Sequence, residues 1–261
     1  PGGRASPISS PPARPADELT GRLSTLIEMR RVLADSGRRA KGETAEALLA
    51  RHYAQQLRLA GQVQRQLLPA SLPRFGAFRL KAAFRPAEVV SGDLFDVRRI
   101  DEHHVGIAVA DATGHGVPAA LLTVLIKRII RARGPRGARC LGPDEVLARL
   151  NREIIASELS ECPFLAVSYA VLDMRTADVH VARGGTPYPI VRRFDGRCDV
   201  VRAGGGLVGI DRDATFDVST VSLRPGDALL LMTDGIDRVT QDALPPEDIA
   251  GYLEVKARQP I

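Results

Sequence analysis

The chain has 261 residues, of which 44% are hydrophobic and 26% are charged, and its formal net charge is +5. This composition is typical of a soluble globular protein and excludes a low-complexity or highly charged disordered chain. The length suits one large domain with an extension, or two small domains. Three widely separated cysteines, Cys140, Cys162 and Cys198, indicate a reducing compartment, and we expect the cytoplasm.

Two further classes of protein are excluded by local composition. The longest apolar runs, such as residues 117–126, are too short to span a bilayer. The densest arginine cluster, at residues 131–139, has no interleaved aromatic residues and no zinc pattern, so nucleic-acid binding is not expected. Because the sequence begins at Pro1 and no apolar signal region follows, we expect a fragment of a longer protein.

The N-terminal part of the chain is predicted to be a linker followed by helices. Residues 1–15 are rich in Pro, Gly and Ser, which is typical of a disordered linker. Residues 16–69 are interpreted as a helical segment. One helix is predicted from Asp17 to about Ala34, and a longer one over residues 44–68, from Thr44 to Leu68, ends at Pro69.

The longer helix carries an apolar seam with alternating steps of three and four residues. The seam consists of Leu49, Tyr53, Leu57, Ala60, Val63 or Gln64, and Leu67. Two interpretations remain open: the helix packs on its own domain, or it pairs with the same helix of a second copy of the chain.

Beyond Pro69 the pattern predicts strands separated by Asp, Gly and Pro turns, with two helices between them. The strands are expected at 78–85, 97–100, 104–110, 164–172, 179–183, 189–193, 216–223 and 228–232, and the helices at 117–131 and 144–159. Strands do not alternate regularly with helices. The pattern therefore favours an α+β fold of antiparallel sheets flanked by helices over a parallel α/β fold.

Three aspartates stand where an apolar run meets a turn that contains glycine: Asp93, Asp111 and Asp234. Mg²⁺ and Mn²⁺ prefer oxygen ligands and are usually held by a few carboxylates together with substrate phosphate oxygens. Asp and Gly are also ordinary turn formers, so any one of these turns has a purely structural explanation. Taken together, the three turns predict one shared cation site.

These turns belong to a series of short motifs that resembles the metal-dependent serine/threonine phosphatases of the protein phosphatase 2C-like (PPM) superfamily, in its bacterial SpoIIE/RsbU-like branch. In chain order the motifs are Gln66-Leu67-Leu68-Pro69, Val90-Ser91-Gly92-Asp93-Leu94-Phe95-Asp96, Asp111-Ala112-Thr113-Gly114-His115-Gly116 before Ala119-Ala120-Leu121, Arg224-Pro225-Gly226-Asp227, and Thr233-Asp234-Gly235. The resemblance implies an αββα sandwich over residues 70–261, with a metal cleft at one end of two antiparallel sheets.

The resemblance also implies two divalent ions, Mn²⁺ or Mg²⁺, that activate a water for direct attack on a phosphate ester, without a phosphoenzyme. By position, Asp111 resembles the carboxylate that bridges both ions, and Ala112 offers a backbone carbonyl. Asp93 resembles a ligand of one ion and Asp234 a ligand of the other.

Two more residues near the expected cleft carry less definite roles. His115 occupies a position where a family histidine can protonate the leaving oxygen, or serve only structurally. For Asp96, a supporting role behind the ligands and a turn cap remain equally open.

The sequence departs from the family pattern at two places. The family fold ordinarily closes with a further helix and a strand that bears another aspartate ligand, and no residue before Ile261 matches it. We therefore expect the domain to be incomplete at its C-terminal end. Thr186 stands where relatives frequently have histidine, and we expect a strand-turn role for it rather than a catalytic one.

Through the resemblance, the expected substrate is a phosphorylated STAS-type anti-anti-sigma protein in a partner-switching pathway. An upstream sensory module and a homodimer formed through the helix over residues 44–68 are also implied. Two alternatives are kept: a catalytically weak or inactive domain that acts by phosphoprotein binding and dimerisation, and a hydrolase of small phosphate esters.

Overall fold

The computed structural model describes residues 44–86, 88–130, 140–159, 164–236 and 249–251. The linker expected at 1–15, the helix expected from Asp17 to Ala34 and the arginine cluster at 131–139 lie outside these residues. The chain divides into two compact units, Pro1–Gln56 and Leu57–Ile261.

Helix α1 (Ala45–Leu67) crosses the division between the two units, and it confirms the long helix expected over residues 44–68. Its first turn is capped by Thr44, whose Oγ1 accepts a hydrogen bond from the Ala47 amide at 3.3 Å. None of the helices in the described ranges combines the length and the apolar character that crossing a membrane requires.

The rest of the described chain contains two further long helices and eight strands, joined by loops. They are β1 (Asp93–Arg99), β2 (His104–Ala112), α2 (Gly116–Ile129), α3 (Pro143–Ala156), β3 (Leu165–Asp173), β4 (Asp178–Gly184), β5 (Ile190–Arg192), β6 (Cys198–Val200), β7 (Ser219–Ser222) and β8 (Ala228–Leu230). One sheet has the order β1-β2-β3-β4-β7 and the other has the order β6-β5-β8. Every strand pair is antiparallel, which confirms the expected α+β class.

The larger sheet separates two hydrophobic cores. On one face, helices α2 and α3 bury residues such as Ile126 and Leu150 against the sheet. The other face carries a core that includes Val105 and Val181, with Leu229 of β8 packed against it. Because side chains alternate along a strand, Ala108 and Ala110 face the helices while their odd-numbered neighbours face the second core.

A third, smaller core lies on the second sheet. It joins Ile190 of β5 and Met232 to Ile249 and Ala250, which are helical. The order of helices, sheet, sheet and helical residues is the layered sandwich expected from the resemblance.

Two details of the predicted strands are wrong. No strand forms at 78–85, where the apolar alternation is weak and Phe78 makes only an isolated bridge to Phe75. The short strand β6 has three residues and was not predicted, because so short a segment offers no alternation to recognise.

Candidate metal centre

Asp93 and Asp111 face each other across the first two strands of the large sheet. Asp93 begins β1, Asp111 lies near the end of β2, and the two are paired in the antiparallel register. Residues directly opposite in such a pair project from the same face, and like charges in that position are destabilising. A pair of opposed carboxylates therefore requires compensation that the strands do not provide.

Gly92 allows the end of β2 to approach this pair closely. The Ala112 amide donates a hydrogen bond to the Gly92 carbonyl at 3.0 Å. A Cβ atom at Gly92 would lie 2.5 Å from the Ala112 carbonyl oxygen and 3.3 Å from Asp111 Oδ1, the first of which is impossible without displacement. Any larger residue would thus displace the main-chain oxygen that accompanies the carboxylates.

Asp234, from the turn after β8, completes the acidic group. Burial, followed by the charges of Asp93 and Asp234 and a hydrogen bond to Asp234, raises the pKa of Asp111 from 3.8 to about 6. The structure therefore brings together the three aspartates that the sequence singled out, although they lie far apart in the chain. Their roles as metal ligands remain a prediction.

The donor set suits a hard divalent cation. It contains three carboxylates, from Asp93, Asp111 and Asp234, with the Ala112 carbonyl at the same strand end. All of these donors are oxygens, which Mg²⁺ and Mn²⁺ prefer. The raised pKa of Asp111 shows that acidic neighbours surround it, so a bound cation would relieve their repulsion.

Ser91 holds Asp93 in place, and Gln64 holds Ser91. The Ser91 hydroxyl donates to Asp93 Oδ2 at 3.2 Å and accepts from the Asp93 amide at 3.1 Å. The buried amide of Gln64 donates to the Ser91 carbonyl and to Thr123 Oγ1 of α2, and its Oε1 accepts from the Ser91 amide at 3.0 Å. Helix α1 is thereby connected to a candidate ligand through one intervening residue.

This glutamine connection was missed by the sequence analysis. The apolar seam left Val63 and Gln64 as alternatives, and the structure buries Gln64 while Val63 is 59% exposed. A polar residue within an apolar seam is the one local signal that could have indicated it, because such a side chain needs buried partners.

His115 lies at the N-cap of α2 and is exposed to solvent. It has an extended backbone, with φ of −141°, and its side chain makes no capping hydrogen bond. The predicted helix start at Gly114-His115-Gly116 is confirmed, whereas a proton-transfer role of His115 stays a prediction.

Asp96 is part of a buried ion pair in the middle of β1, so the turn-cap interpretation is wrong. Its carboxylate accepts from Arg98 Nε at 2.7 Å and also contacts Arg98 Nη2. Lys127 of α2 lies 3.2 Å from Asp96 Oδ1 and donates to the Leu67 carbonyl at the end of α1. Asp96 thus links α2 to the sheet through its ion pair with Lys127.

Asp227 of the Arg224-Pro225-Gly226-Asp227 motif also has a structural role. Burial opposes its ionisation, but hydrogen bonds from the Arg224 and Phe194 amides and from Arg193 outweigh it and lower the pKa of Asp227. Gly226 has φ of +90°, and a Cβ there would meet the Phe194 ring at 2.4 Å. This motif therefore shapes the turn before β8.

Thr186 is 2% exposed and forms a hydroxyl–hydroxyl hydrogen bond of 2.5 Å with Ser168. Its carbonyl accepts a hydrogen bond from Arg183. These contacts tie the turn after β4 to strand β3, which agrees with the strand-turn role expected for Thr186.

Comparison with protein families gives a match over residues 101–254 to the model described as stage II sporulation protein E (SpoIIE). The match covers more than half of the chain and includes Asp111, His115 and Asp234.

Two curated relatives are similar over much of the chain. Protein IcfG of Synechocystis sp. is 25% identical over 198 residues, which are 67% of this chain and 31% of IcfG. Phosphoserine phosphatase RsbU of Bacillus subtilis is 28% identical over 182 residues, which are 69% of this chain and 53% of RsbU. The chain thus spans about a third to a half of these relatives.

Among solved structures, the SiaA-PP2C domain of Pseudomonas aeruginosa is similar with a TM-score of 0.60 and 24% sequence identity. The similarity covers 80% of this chain and 90% of that domain. The fold is therefore that of the PP2C-like phosphatases, with two antiparallel sheets between helical layers.

Proposed function

The chain belongs to the SpoIIE family, and on that premise we propose that it is a phosphatase domain, dependent on a divalent metal, that removes phosphate from phosphoserine or phosphothreonine of a regulatory protein. The observation that carries the proposal is the convergence of Asp93, Asp111 and Asp234 at one end of the larger sheet. The similarity to RsbU, a protein named as a phosphoserine phosphatase, supports it.

Asp93, Asp111, Asp234 and the Ala112 carbonyl would hold Mn²⁺ or Mg²⁺, with two ions expected. Bound ions of this kind polarise phosphoryl oxygens and lower the pKa of coordinated water. The carboxylates act as fixed anchors, because β1 and β2 are hydrogen-bonded to each other and Ser91 restrains Asp93. His115, exposed at the start of α2, is the candidate proton donor to the leaving serine or threonine oxygen.

The finer parts of the proposal concern the substrate and its setting. We propose a phosphorylated STAS-type protein as substrate, within a cytoplasmic partner-switching pathway that controls a sigma factor. The similarity to RsbU, a protein named as a phosphoserine phosphatase, supports a phosphoserine-containing substrate. An upstream sensory module would then act on the domain through α1.

A homodimer through α1 is also part of the proposal. Large apolar side chains of this helix are exposed, including Tyr53 at 56%, Leu59 at 48% and Val63 at 59%. Exposed apolar residues on a helix are typical of surfaces that pair with another helix. Gln64, by contrast, is buried by its contacts with Ser91 and Thr123 and would not take part in pairing.

A second candidate is a noncatalytic domain that binds a phosphoprotein without hydrolysing it. It is favoured by the spacing of the acidic group, since among the described residues the carboxylate oxygens of Asp93, Asp111 and Asp234 do not all lie within 4.8 Å of one another. Absence of any divalent-ion binding in calorimetry would support this candidate against the phosphatase.

The test is phosphate release from a phosphoserine protein in the presence of Mn²⁺ or Mg²⁺. Asp111→Asn is expected to lower the rate at least about 100-fold, because it removes a charge from the donor set. The matched control is Asp213→Asn, which changes an exposed aspartate in a loop and should leave the rate unchanged.

An unchanged rate in Asp111→Asn would contradict the phosphatase proposal. Turnover of the phosphoprotein far above that of a generic aryl phosphate would support a protein substrate. Equal turnover of the two would favour a hydrolase of small phosphate esters.

A further inference from the structure

A group of side chains of the types that bind metals lies at the end of strand β2 opposite Asp111. It consists of Asp101, His104 and Cys140, whose ligand atoms all lie within 4.8 Å of one another. Within the described ranges, this is the one trio of His, Cys, Asp or Glu side chains that meets that distance. The carboxylate oxygens of Asp93, Asp111 and Asp234 are therefore spaced more widely than the ligand atoms of this trio.

The hairpin turn between β1 and β2 accounts for two members of the group. Asp101 Oδ1 accepts hydrogen bonds from the His103 and His104 amides, each at 2.8 Å. The His104 ring nitrogen Nδ1 lies 2.9 Å from both Asp101 carboxylate oxygens. The turn thus supplies a carboxylate and an imidazole side by side.

Cys140 comes from a remote part of the chain. It lies shortly before α3, is partly buried and packs against the core between the helices and the sheet. The buried Tyr169 hydroxyl has no hydrogen-bond partner among the described residues; burial raises its pKa, and Arg98, Cys140 and Asp96 all lie near enough to affect that pKa. A sulfur anion at Cys140 would thus have the Tyr169 hydroxyl nearby, with the Arg98–Asp96 ion pair also close to that hydroxyl.

The three ligand types determine which ion would fit. A thiolate, an imidazole and a carboxylate are the ligands of Zn²⁺ and related transition ions, whereas Mg²⁺ and Mn²⁺ favour sites made entirely of oxygen. In a tetrahedral zinc site with bonds of about 2.0 to 2.3 Å, ligand atoms lie roughly 3.3 to 3.8 Å apart. Separations below 4.8 Å require side-chain adjustments of about 1 Å.

We propose that Asp101, His104 and Cys140 form a site for a divalent transition-metal ion of the zinc class. Asp101 and His104 side chains are 37% and 30% exposed, so an ion and one water ligand can reach them. The ion would take the place of the hydrogen bond between Asp101 and the His104 ring. It would tie the segment before α3 to the β1–β2 turn.

This site is separate from the acidic one. His104 and Asp111 lie at opposite ends of the same strand, and seven residues of an antiparallel strand span about 24 Å. Loss of one site therefore need not remove the other, and binding at each site can be measured in a variant that lacks the other.

The test is titration of the purified, reduced chain with Co²⁺ in the presence of excess Mg²⁺. The expected result is a thiolate-to-cobalt charge-transfer band that survives Mg²⁺, is displaced by Zn²⁺ and persists in Asp111→Asn. Cys140→Ser and His104→Gln are expected to abolish the band or weaken Co²⁺ binding at least about tenfold, since even loss of a supporting hydrogen bond to a ligand has that effect.

Matched controls are Cys198→Ser, which changes another partly buried cysteine, and His180→Gln on β4, where the histidine ring hydrogen-bonds Thr220 of β7. Both should keep the band. A complementary measurement is protection of Cys140 from alkylation by Zn²⁺, read by mass spectrometry of the modified peptide. No charge-transfer band in the wild-type chain, or an equal band in Cys140→Ser, would overturn the proposal.

Discussion

Asp96 and Asp111 lie on neighbouring strands of one sheet, and their surroundings are opposite in charge. Asp96 is buried beside two cations, Arg98 and Lys127. Asp111 is half-buried beside two further carboxylates, those of Asp93 and Asp234. The charge of Asp96 is neutralised by cations of the chain itself. The carboxylates around Asp111 repel one another, and a bound cation would remove that repulsion. The difference distinguishes a structural carboxylate from a candidate ligand, although both aspartates belong to motifs that carry the family resemblance.

The largest expected effect on stability is that of substituting Asp96. Asp96→Asn should reduce the free energy of unfolding by about 2 to 4 kcal/mol, because it leaves Arg98 and Lys127 without their carboxylate; their partial exposure keeps the loss below that of a fully buried pair. Urea denaturation of the metal-free chain measures it. The control is Asp195→Asn, which removes an exposed pair with Arg197 and should cause no measurable change. Equal effects of the two variants would contradict the structural role of Asp96.

Asp111→Asn should have the opposite effect on stability. The folded-state pKa of about 6 lies above the unfolded value of 3.8, so the folded chain binds more protons between these values. Ionisation of Asp111 therefore opposes folding: the penalty is absent below about pH 4, grows as pH rises through 6 and is constant above. At neutral pH it is at most about 3 kcal/mol, and less because solvent screens a half-buried carboxyl.

The measurement is thermal unfolding of the metal-free chain from acid to neutral pH. Wild-type stability should contain a falling component between about pH 4 and 6 that Asp111→Asn lacks. The variant should be more stable than wild type at neutral pH. A variant that is less stable there would show that Asp111 is satisfied within the chain, as Asp96 is.

The same titration predicts how acid affects metal binding. Because a cation competes with the proton on Asp111, apparent affinity for Mn²⁺ should fall about tenfold for each pH unit below 6 and level off above it. Calorimetry in buffers of different ionisation enthalpy should detect about one proton released per binding event near pH 5. An affinity that stays constant between about pH 5 and 7 would place the bound ion away from Asp111.

The fold was predictable where the hydrophobic pattern was strong. The Val and Ile content of β2, the turns that bound β3, and the start signals of α2 and α3 were sufficient to assign these elements and an antiparallel α+β class. The strand expected at 78–85 failed because Phe78 and Leu80 pack into the core without a neighbouring strand to complete a ladder. Pairing is a tertiary property, and weak alternation does not reveal whether a partner exists.

The candidate site was predictable only at its acidic residues. Asp93, Asp111 and Asp234 share a local signature, a carboxylate at the end of an apolar run, which can be read without knowing the fold. Contacts that hold these residues have no such signature. The cations that neutralise Asp96 come from two elements, and the Gln64 amide reaches two segments that are remote in sequence.

Gln64 supports the acidic site through hydrogen bonds without contributing a charge, so its substitution tests positioning apart from charge. Gln64→Ala should destabilise the chain by about 1 to 2 kcal/mol, since the Ser91 main chain and Thr123 lose buried hydrogen bonds. It should also weaken Mn²⁺ binding by roughly tenfold, the usual effect of removing a group that orients a ligand, because Ser91 then restrains Asp93 less firmly. The matched control is Gln62→Ala on the exposed side of the same helix, which should change neither quantity.

Urea denaturation and Mn²⁺ titration of both variants measure the two effects separately. Loss of stability with unchanged Mn²⁺ affinity would mean that α1 supports the fold alone, whereas a joint loss would identify a route by which movement of α1 alters the metal centre.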